Sequence, residues 1–150
     1  MTIQLVGDWP TELATAVQAI AAAVDNDDQV ELPDGMVNLL LVDDAQITEL
    51  NTQYTGNAYA TDVLTFPYQP VENDDPTIAD VVISTETAAR QAEQAQIEVV
   101  DEVGLLALHG LLHAAGYDHS TPEGQQQMEA IQQRVMVDSN LRYRDFKWNQ

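Results

Sequence analysis

The chain has 150 residues, of which 45% are hydrophobic and none is cysteine. This length is typical of one domain, which buries about 70% of the surface of its unfolded chain and needs no disulfide. Its 25 acidic residues face only 5 basic ones, and the formal net charge of -20 predicts a surface that repels nucleic acid. Without thiolates, a transition-metal site is restricted to nitrogen and oxygen ligands.

The same composition predicts where the protein works. The sequence has neither a long apolar run nor the pattern of a signal peptide, which predicts a cytoplasmic protein with no membrane partner and, given its charge, no DNA partner. Lys147 is its one lysine. The acidity therefore fits either adaptation to high salt or a soluble acidic protein kept monomeric by self-repulsion, and composition leaves both open.

The first half of the chain predicts two strand and helix pairs, separated by an acidic stretch from Asp25 to Glu31 and a turn at Pro33-Asp34-Gly35. The acidic run Asp25 to Asp28 is typical of a solvated loop. In chain order, the predicted elements are a strand at Ile3 and Leu5, a helix opened by Trp9-Pro10-Thr11-Glu12 and running to about Val24, a buried strand from Met36 to Val42, and a helix capped by Asp43-Asp44 that ends near Tyr54.

The second half alternates short apolar runs with helical patterns. In chain order, the predicted elements are an edge strand at Val63-Leu64-Thr65-Phe66-Pro67, an exposed turn from Asn73 to Pro76, a strand from Ile78 to Ile83, a helix from Ser84-Thr85-Glu86 to about Gln96, a very apolar helix from Val99 to Ala115, and a final helix after Thr121-Pro122-Glu123. The acidic run Glu72 to Asp75, which overlaps the turn, is typical of a solvated loop. No repeat or linker divides the chain, so we expect residues 1–150 to form a single α+β domain with a small mixed sheet packed with helices.

All three histidines of the chain fall in one short segment, at His109, His113 and His119. His109 and His113 are four residues apart in a predicted helix, so their imidazoles share one face and can reach one metal ion. Gly116 can end the helix in a left-handed conformation and bring His119 to the same point. Three neutral imidazoles with an open fourth position are typical of catalytic zinc.

This segment has two other interpretations. Histidines four apart in an apolar helix are also typical of core residues bonded to backbone carbonyls, but a third histidine after a glycine favours the metal. The spacing H-x-x-x-H-x-x-G-x-x-H is that of metzincin proteases, in which a glutamate after the first histidine is the general base. Gly110 occupies that position here, which argues against a protease.

Three motifs in order resemble the YbeY family of bacterial endoribonucleases. The segment from His109 to His119, with Tyr117-Asp118 inside it, resembles the family signature. Asn51-x-x-Tyr54 followed by Thr61-Asp62-Val63-Leu64-Thr65-Phe66-Pro67 is similar to the family's T-D-V-L-S-F-P segment, and Ala79-Asp80-Val81-Val82-Ile83-Ser84 is similar to its G-D-I-x-I-S strand. The resemblance covers most of the chain from Asn51 onward.

The resemblance implies an α+β fold around a mixed sheet and one Zn²⁺ per chain, held by His109, His113 and His119. It also implies single-strand-specific cleavage of RNA in the maturation of the 16S rRNA 3′ end and in ribosome quality control. The expected partner is then ribosomal RNA or the ribosome, reached if necessary through basic ribosomal proteins.

The sequence departs from the family pattern at Thr55, where an arginine normally follows the tyrosine. That arginine is suited to clamp a phosphate with two hydrogen bonds, whereas threonine offers one neutral hydroxyl. Ala79 replaces the glycine of the G-D-I strand, which is a milder change. Active-site binding is then weak, or one of four arginines supplies the charge. These are Arg90, Arg134, Arg142 and Arg144.

Asp62 and Asp80 are further catalytic candidates. Either carboxylate could orient a metal-bound histidine through its second ring nitrogen or position water, and either could simply cap a turn. For Asp118 we expect capping of backbone amides, and for Tyr117 packing beneath the metal loop.

Three functional hypotheses remain. The first is a zinc-dependent endoribonuclease in which metal-bound hydroxide is the nucleophile or base. The second is a ribosome-associated binding protein with structural zinc and lost cleavage, motivated by Thr55 and the charge. The third is a metal hydrolase of a small phosphoester or amide, which would need no arginine clamp.

Overall fold

The computed structural model describes residues 1–68 and 76–145. The strands are β1 (Thr2–Val6), β2 (Met36–Val42), β3 (Val63–Pro67) and β4 (Thr77–Ser84), and the helices are α1 (Thr11–Asp25), α2 (Asp44–Thr55), α3 (Thr85–Ala95), α4 (Val99–Ala114) and α5 (Pro122–Asp138). Each was expected from the sequence at nearly these bounds. The acidic run Glu72 to Asp75 and, apart from Pro76, the turn predicted with it lie outside the described residues.

Polar side chains begin three of the helices, as predicted. The Asp43 carboxylate accepts from the backbone N–H of Gln46, and the Gln46 side chain accepts in return from the Asp43 N–H, which completes a capping box. Ser84 caps α3 and Thr121 caps α5 by the same kind of hydrogen bond to a backbone N–H. These caps satisfy backbone donors that the helix itself leaves unpaired.

The four strands form one mixed sheet in the order β1-β2-β4-β3. β1 and β4 each pair with β2 in parallel, whereas β3 pairs with β4 antiparallel. β3 is therefore an edge strand, as its terminal Pro67 predicted, because proline cannot donate to a further strand. The predicted α+β class with a small mixed sheet is confirmed.

Helix α4 lies at the centre of the domain. It packs against β3 and β4 on one side and against α1, α3 and α5 on the others, and every residue from Asp101 to Leu112 is buried. A helix that is buried on all sides is predominantly apolar, and the buried polar side chains of α4, those of Asp101, Glu102 and His109, are hydrogen-bonded. Even so, none of the helices in the described ranges is long and apolar enough to span a membrane.

The contact between α4 and the sheet is tight at Gly110. A methyl group at this position would lie 2.4 Å from Cγ1 of Val81 and 3.3 Å from Oγ1 of Thr65. Val81 is fully buried on the inner strand β4, and its branched side chain has little freedom to move. Glycine is thus the residue that allows α4 to approach the sheet this closely.

We expect Gly110→Ala to lower the free energy of unfolding by up to about 2 kcal/mol, because overpacking of the added methyl against Val81 costs about 1–3 kcal/mol and the gain in helix propensity offsets about 1 kcal/mol of it. Gly104→Ala on the same helix is the matched control. There the methyl would meet the ends of the Leu141 and Ile20 side chains at 2.8 and 3.1 Å, which can rotate away. The gain of about 1 kcal/mol in helix propensity then offsets the crowding. Urea unfolding of both variants measures the difference, and equal effects would contradict the close-approach argument.

Candidate metal centre

The structure brings His109, His113 and His119 together. His109 and His113 lie one turn apart on α4, and the helix ends before Gly116, whose φ is +100°. The Tyr117 N–H then donates to the Leu112 carbonyl at 2.9 Å, which turns the chain back toward the helix. One nitrogen of each histidine lies within 4.8 Å of the others, as the sequence spacing predicted.

The donor nitrogens are arranged to face a shared point. The Nε2 atoms of His109 and His113 are 3.0 Å apart, and the ring centroid of His119 lies 5.5 Å from that of His109 and 5.1 Å from that of His113. Such convergence of three imidazoles suits a tetrahedral metal with one position left open. The residues present therefore fit a metal ion, and the donor set allows zinc, copper, iron or nickel.

Burial keeps two of these histidines uncharged. The pKa of His109 is lowered from 6.5 to about 3, chiefly by burial; the hydrogen bond with Gln132 opposes this shift, and charge repulsion from the other two imidazoles adds to it. Burial is also the largest cause of the lowered pKa of His113, followed by repulsion from His119. Neutral rings have a free lone pair, so both are ready to bind a metal at neutral pH without first losing a proton.

Gln132 on α5 fixes the orientation of His109. Its side-chain oxygen Oε1 lies 2.9 Å from Nδ1 of His109, and both residues are buried. An amide oxygen can only accept, so Nδ1 carries the proton and Nε2 presents its lone pair to the other histidines. Sequence reasoning missed Gln132 and assigned this kind of role to Asp62 or Asp80, since nothing along the chain links Gln132 to His109.

Asp62 is almost fully buried, at 1% exposure, in a network beneath α3 and α4. It accepts from the Val63 N–H at 2.8 Å and from the Gln91 side chain at 3.2 Å, while Gln91 also donates to Glu102 at 2.7 Å. Burial raises the pKa of the Asp62 carboxyl, an effect that these hydrogen bonds oppose. These contacts of Asp62 are structural.

Asp80 lies on the other face of the sheet from the histidines. Neighbouring strand residues point to opposite faces, and Val81 faces α4 at Gly110. The Asp80 carboxylate accepts from Asn38 at 3.0 Å and from the Tyr68 hydroxyl. Neither Asp80 nor Asp62 is among the cleft-lining residues, and a catalytic role for either stays a prediction.

The loop that carries His119 is held by Tyr117 and Asp118. The Tyr117 hydroxyl accepts from the Glu31 N–H at 2.9 Å, and its ring packs against the core. Asp118 accepts from the backbone N–H of Ser120 at 3.2 Å. Both contacts agree with the packing and capping interpretations of these two residues.

An open cleft of about 450 Å³ leads to the histidines, a size typical of ligand sites. It lies between α2, the following loop, β3 and α4, and most of its polar groups are neutral. The lining residues are Asn51, Thr55, Asn57, Tyr59, Thr61, Val63, Leu64, Thr65, Pro67, His109, His113 and His119.

The arginines proposed to replace the missing clamp lie elsewhere. Arg90 pairs with Asp44 at 2.8 Å, Arg134 with Asp27 at 2.6 Å and Arg144 with Glu102 at 2.5 Å. Arg142 is not among the lining residues either. Within residues 1–68 and 76–145, then, no arginine or lysine side chain lines the cleft, and Thr55 has no cationic substitute there.

A small α+β domain with three converging histidines beside an open cleft defines a candidate metal-binding protein. The chain belongs to the YbeY family: the family model described as Endoribonuclease YbeY matches residues 6–140.

Individual relatives agree with this assignment. The chain is 40% identical over 139 residues to an endoribonuclease YbeY of Moorella thermoacetica, covering 87% of this chain and 86% of that protein. It is 42% identical over 110 residues to that of Nautilia profundicola, covering 73% and 76% respectively. A solution structure of a Thermotoga maritima protein matches with a TM-score of 0.64 and 25% identity, covering 91% of this chain and 88% of that one.

We expect Gln132→Leu to weaken metal affinity about 10- to 100-fold, since loss of a hydrogen bond to a ligating histidine typically has this effect. Gln133→Leu is the matched control, because its side chain is exposed on the same helix. Competition with a chromophoric chelator measures the affinity. Equal affinities for the two variants would show that Gln132 does not position His109.

Stability of the metal-free protein should fall with acid because of His109. Its pKa is about 3 when folded and about 6.5 when unfolded, so between these values the unfolded chain binds the extra proton. The contribution is fully present above pH ~6.5 and decreases below it, by about 2 kcal/mol at pH ~5. Urea unfolding with chelator at both pH values, compared with His109→Gln, isolates this loss. A variant that loses as much stability as the parent would refute the assignment.

Proposed function

We propose that the chain is a zinc-dependent endoribonuclease that cuts single-stranded ribosomal RNA and acts in maturation of the 16S rRNA 3′ end. The observation that carries the proposal is the convergence of three histidine nitrogens within 4.8 Å at the end of an open cleft. Family membership gives the reaction class, since the relatives named above are endoribonucleases.

The residues of the site would have different roles. His109, His113 and His119 would hold the metal, and Gln132 would keep His109 in the tautomer that binds it. When bound, a divalent metal supplies Lewis-acid stabilisation of negative charge on a phosphate oxygen and a water of lowered pKa. The open cleft admits a strand to that point.

Packing at Gly110 explains why no glutamate of the protease type follows His109. The position that follows the first histidine faces the sheet, where even a methyl group would lie 2.4 Å from Val81. A glutamate there would have no room to reach the histidine cluster. This geometry favours phosphodiester cleavage over the metzincin reaction, which needs that carboxylate.

The acidic surface suggests how the protein would reach its substrate. A net charge of -20 opposes free association with RNA but favours docking on basic surfaces. We therefore include basic ribosomal proteins among the partners and place the reaction on the ribosome, in the cytoplasm.

A second candidate is a ribosome-associated binding protein with structural metal and lost cleavage. One observation favours this binding protein: none of the described arginines lines the cleft, where the family has an arginine suited to clamp a phosphate. A hydrolase of a small phosphoester would also have no need of that clamp. Cleavage assays separate these candidates from the nuclease.

Purified protein should contain about one zinc per chain and cut single-stranded RNA in a chelator-sensitive way. His113→Ala should abolish cutting, because two imidazoles leave the metal poorly held. Metal analysis and gel assays at low and high salt provide the measurement, with Gln133→Leu as the folded control.

Zinc without cutting at any salt would favour the binding-protein or small-phosphoester candidate. Absence of bound metal would overturn the proposal altogether. Unchanged ribosome association and rRNA processing in a His109→Ala variant would show that the histidine cluster does no catalysis.

A further inference from the structure

If the chain is a nuclease, its cleft has to bind single-stranded RNA. Proteins that bind single strands usually combine cations along the backbone with aromatic rings beneath the bases. Arginine and lysine side chains are absent from the lining of this cleft as far as residues 1–68 and 76–145 form it, so other groups of the cleft have to contribute to holding the strand. How the strand is held is a question that rests on the proposed function, since it presumes that RNA enters this cleft.

The Thr55 side chain stabilises the loop that follows α2. Its hydroxyl lies 2.7 Å from the Asn51 carbonyl and 2.6 Å from the Asn51 side-chain oxygen, and accepts from the Asn57 N–H at 3.3 Å. A single hydroxyl proton serves one of the two Asn51 oxygens at a time. The end of α2 and the loop after Gly56 are thereby tied together at the position where the family has its arginine.

The same contacts hold Tyr59. The buried Asn51 side chain donates to the Tyr59 carbonyl at 3.1 Å, so the loop backbone is anchored on both sides of Asn57. The Tyr59 side chain remains 56% exposed and lines the cleft with the three histidines. An aromatic ring on an anchored backbone loses little entropy when a flat partner stacks on it.

We propose that Tyr59 is a nucleobase-stacking subsite, and that single-stranded RNA is held beside the histidine cluster by stacking and neutral hydrogen bonds instead of phosphate contacts from cationic side chains. Thr55 and Asn51 are positioning residues that hold the loop. Asn57 and Thr61, in the same lining, offer the neutral donors and acceptors.

This mode of binding has an unusual dependence on salt. Each phosphate contact by a cation weakens single-strand binding with a slope of about -0.7 in log affinity against log salt. Three contacts would raise Kd about 100-fold from about 0.1 to about 1 M salt. A neutral cleft in a chain of charge -20 lacks this penalty, and salt also screens its repulsion of the strand.

The first test measures Kd of the metal-loaded protein for a short labelled single-stranded RNA with 2′-O-methyl riboses, whose integrity is checked by gel. We expect Kd to change less than about threefold over that salt range, or to fall. Thr55→Arg should acquire the slope of one contact, about a fivefold loss per decade of salt relative to the parent. A parent Kd that rises tenfold or more, or an unchanged slope in Thr55→Arg, overturns the proposal.

The second test removes the ring. Tyr59→Ala should raise Kd about 5- to 150-fold, since base stacking on an aromatic contributes about 1–3 kcal/mol, and Tyr59→Phe should restore the affinity. Tyr54→Ala is the matched control, because Tyr54 is 67% exposed but packs against Phe66 with ring centroids 4.5 Å apart and does not line the cleft. Equal losses in the two alanine variants, or none in Tyr59→Ala, would contradict the subsite.

Binding and cleavage are read separately, so the two proposals can fail independently. Chelator-sensitive cutting of unmodified RNA together with a steep salt dependence of Kd would leave the nuclease standing and remove the stacking subsite. Conversely, the expected Kd pattern without cutting at any salt would support the subsite in a protein that binds RNA and does not cleave it.

Discussion

The close approach of α4 to the sheet at Gly110 is the constraint on which the rest of the structure depends. Because Gly110 has no side chain that would clash with Val81, α4 can pack directly against β3 and β4. Its whole middle section is buried there. His109 and His113 are thereby placed where β3 and the end of α2 form a wall opposite them. Their burial removes the charge that would otherwise compete with a metal.

Three of the few basic side chains form ion pairs with acidic residues inside the domain. Arg144 pairs with Glu102, whose side chain is fully buried on α4, and Gln91 joins Glu102 to Asp62. A buried carboxylate without such partners would be strongly destabilising. Arg134 and Arg90 likewise hold acidic residues of neighbouring segments. The chain therefore uses its described ion pairs for internal cohesion, and no described arginine or lysine lines the cleft beside the histidines.

Much of the fold could be predicted because its signals are local. Apolar alternation marked the strands, Asp43, Ser84 and Thr121 marked helix starts, and Pro67 marked an edge. The histidine cluster was also predictable, because one helical turn and one glycine set its geometry.

What escaped prediction depends on contacts between distant segments. Gln132 reaches His109 from another helix, 23 residues away in sequence. The directions of the Asp62 and Asp80 side chains follow from packing that no motif encodes, and the arginines gave no sign of their acidic partners. The YbeY resemblance supplied the reaction class, which the residue pattern alone left among several hydrolases.

Within residues 1–68 and 76–145 the sheet also has two edge strands, because β1 and β3 each pair with a single neighbour. Unpaired strand edges are templates for association with another chain, and like charge is one of the devices that prevents it. In this protein the net charge of -20 provides such repulsion between copies of the chain. Protonating its carboxylates would remove the repulsion from both edge strands at once, so colloidal stability in this domain is linked to the same charge excess that keeps free RNA at a distance.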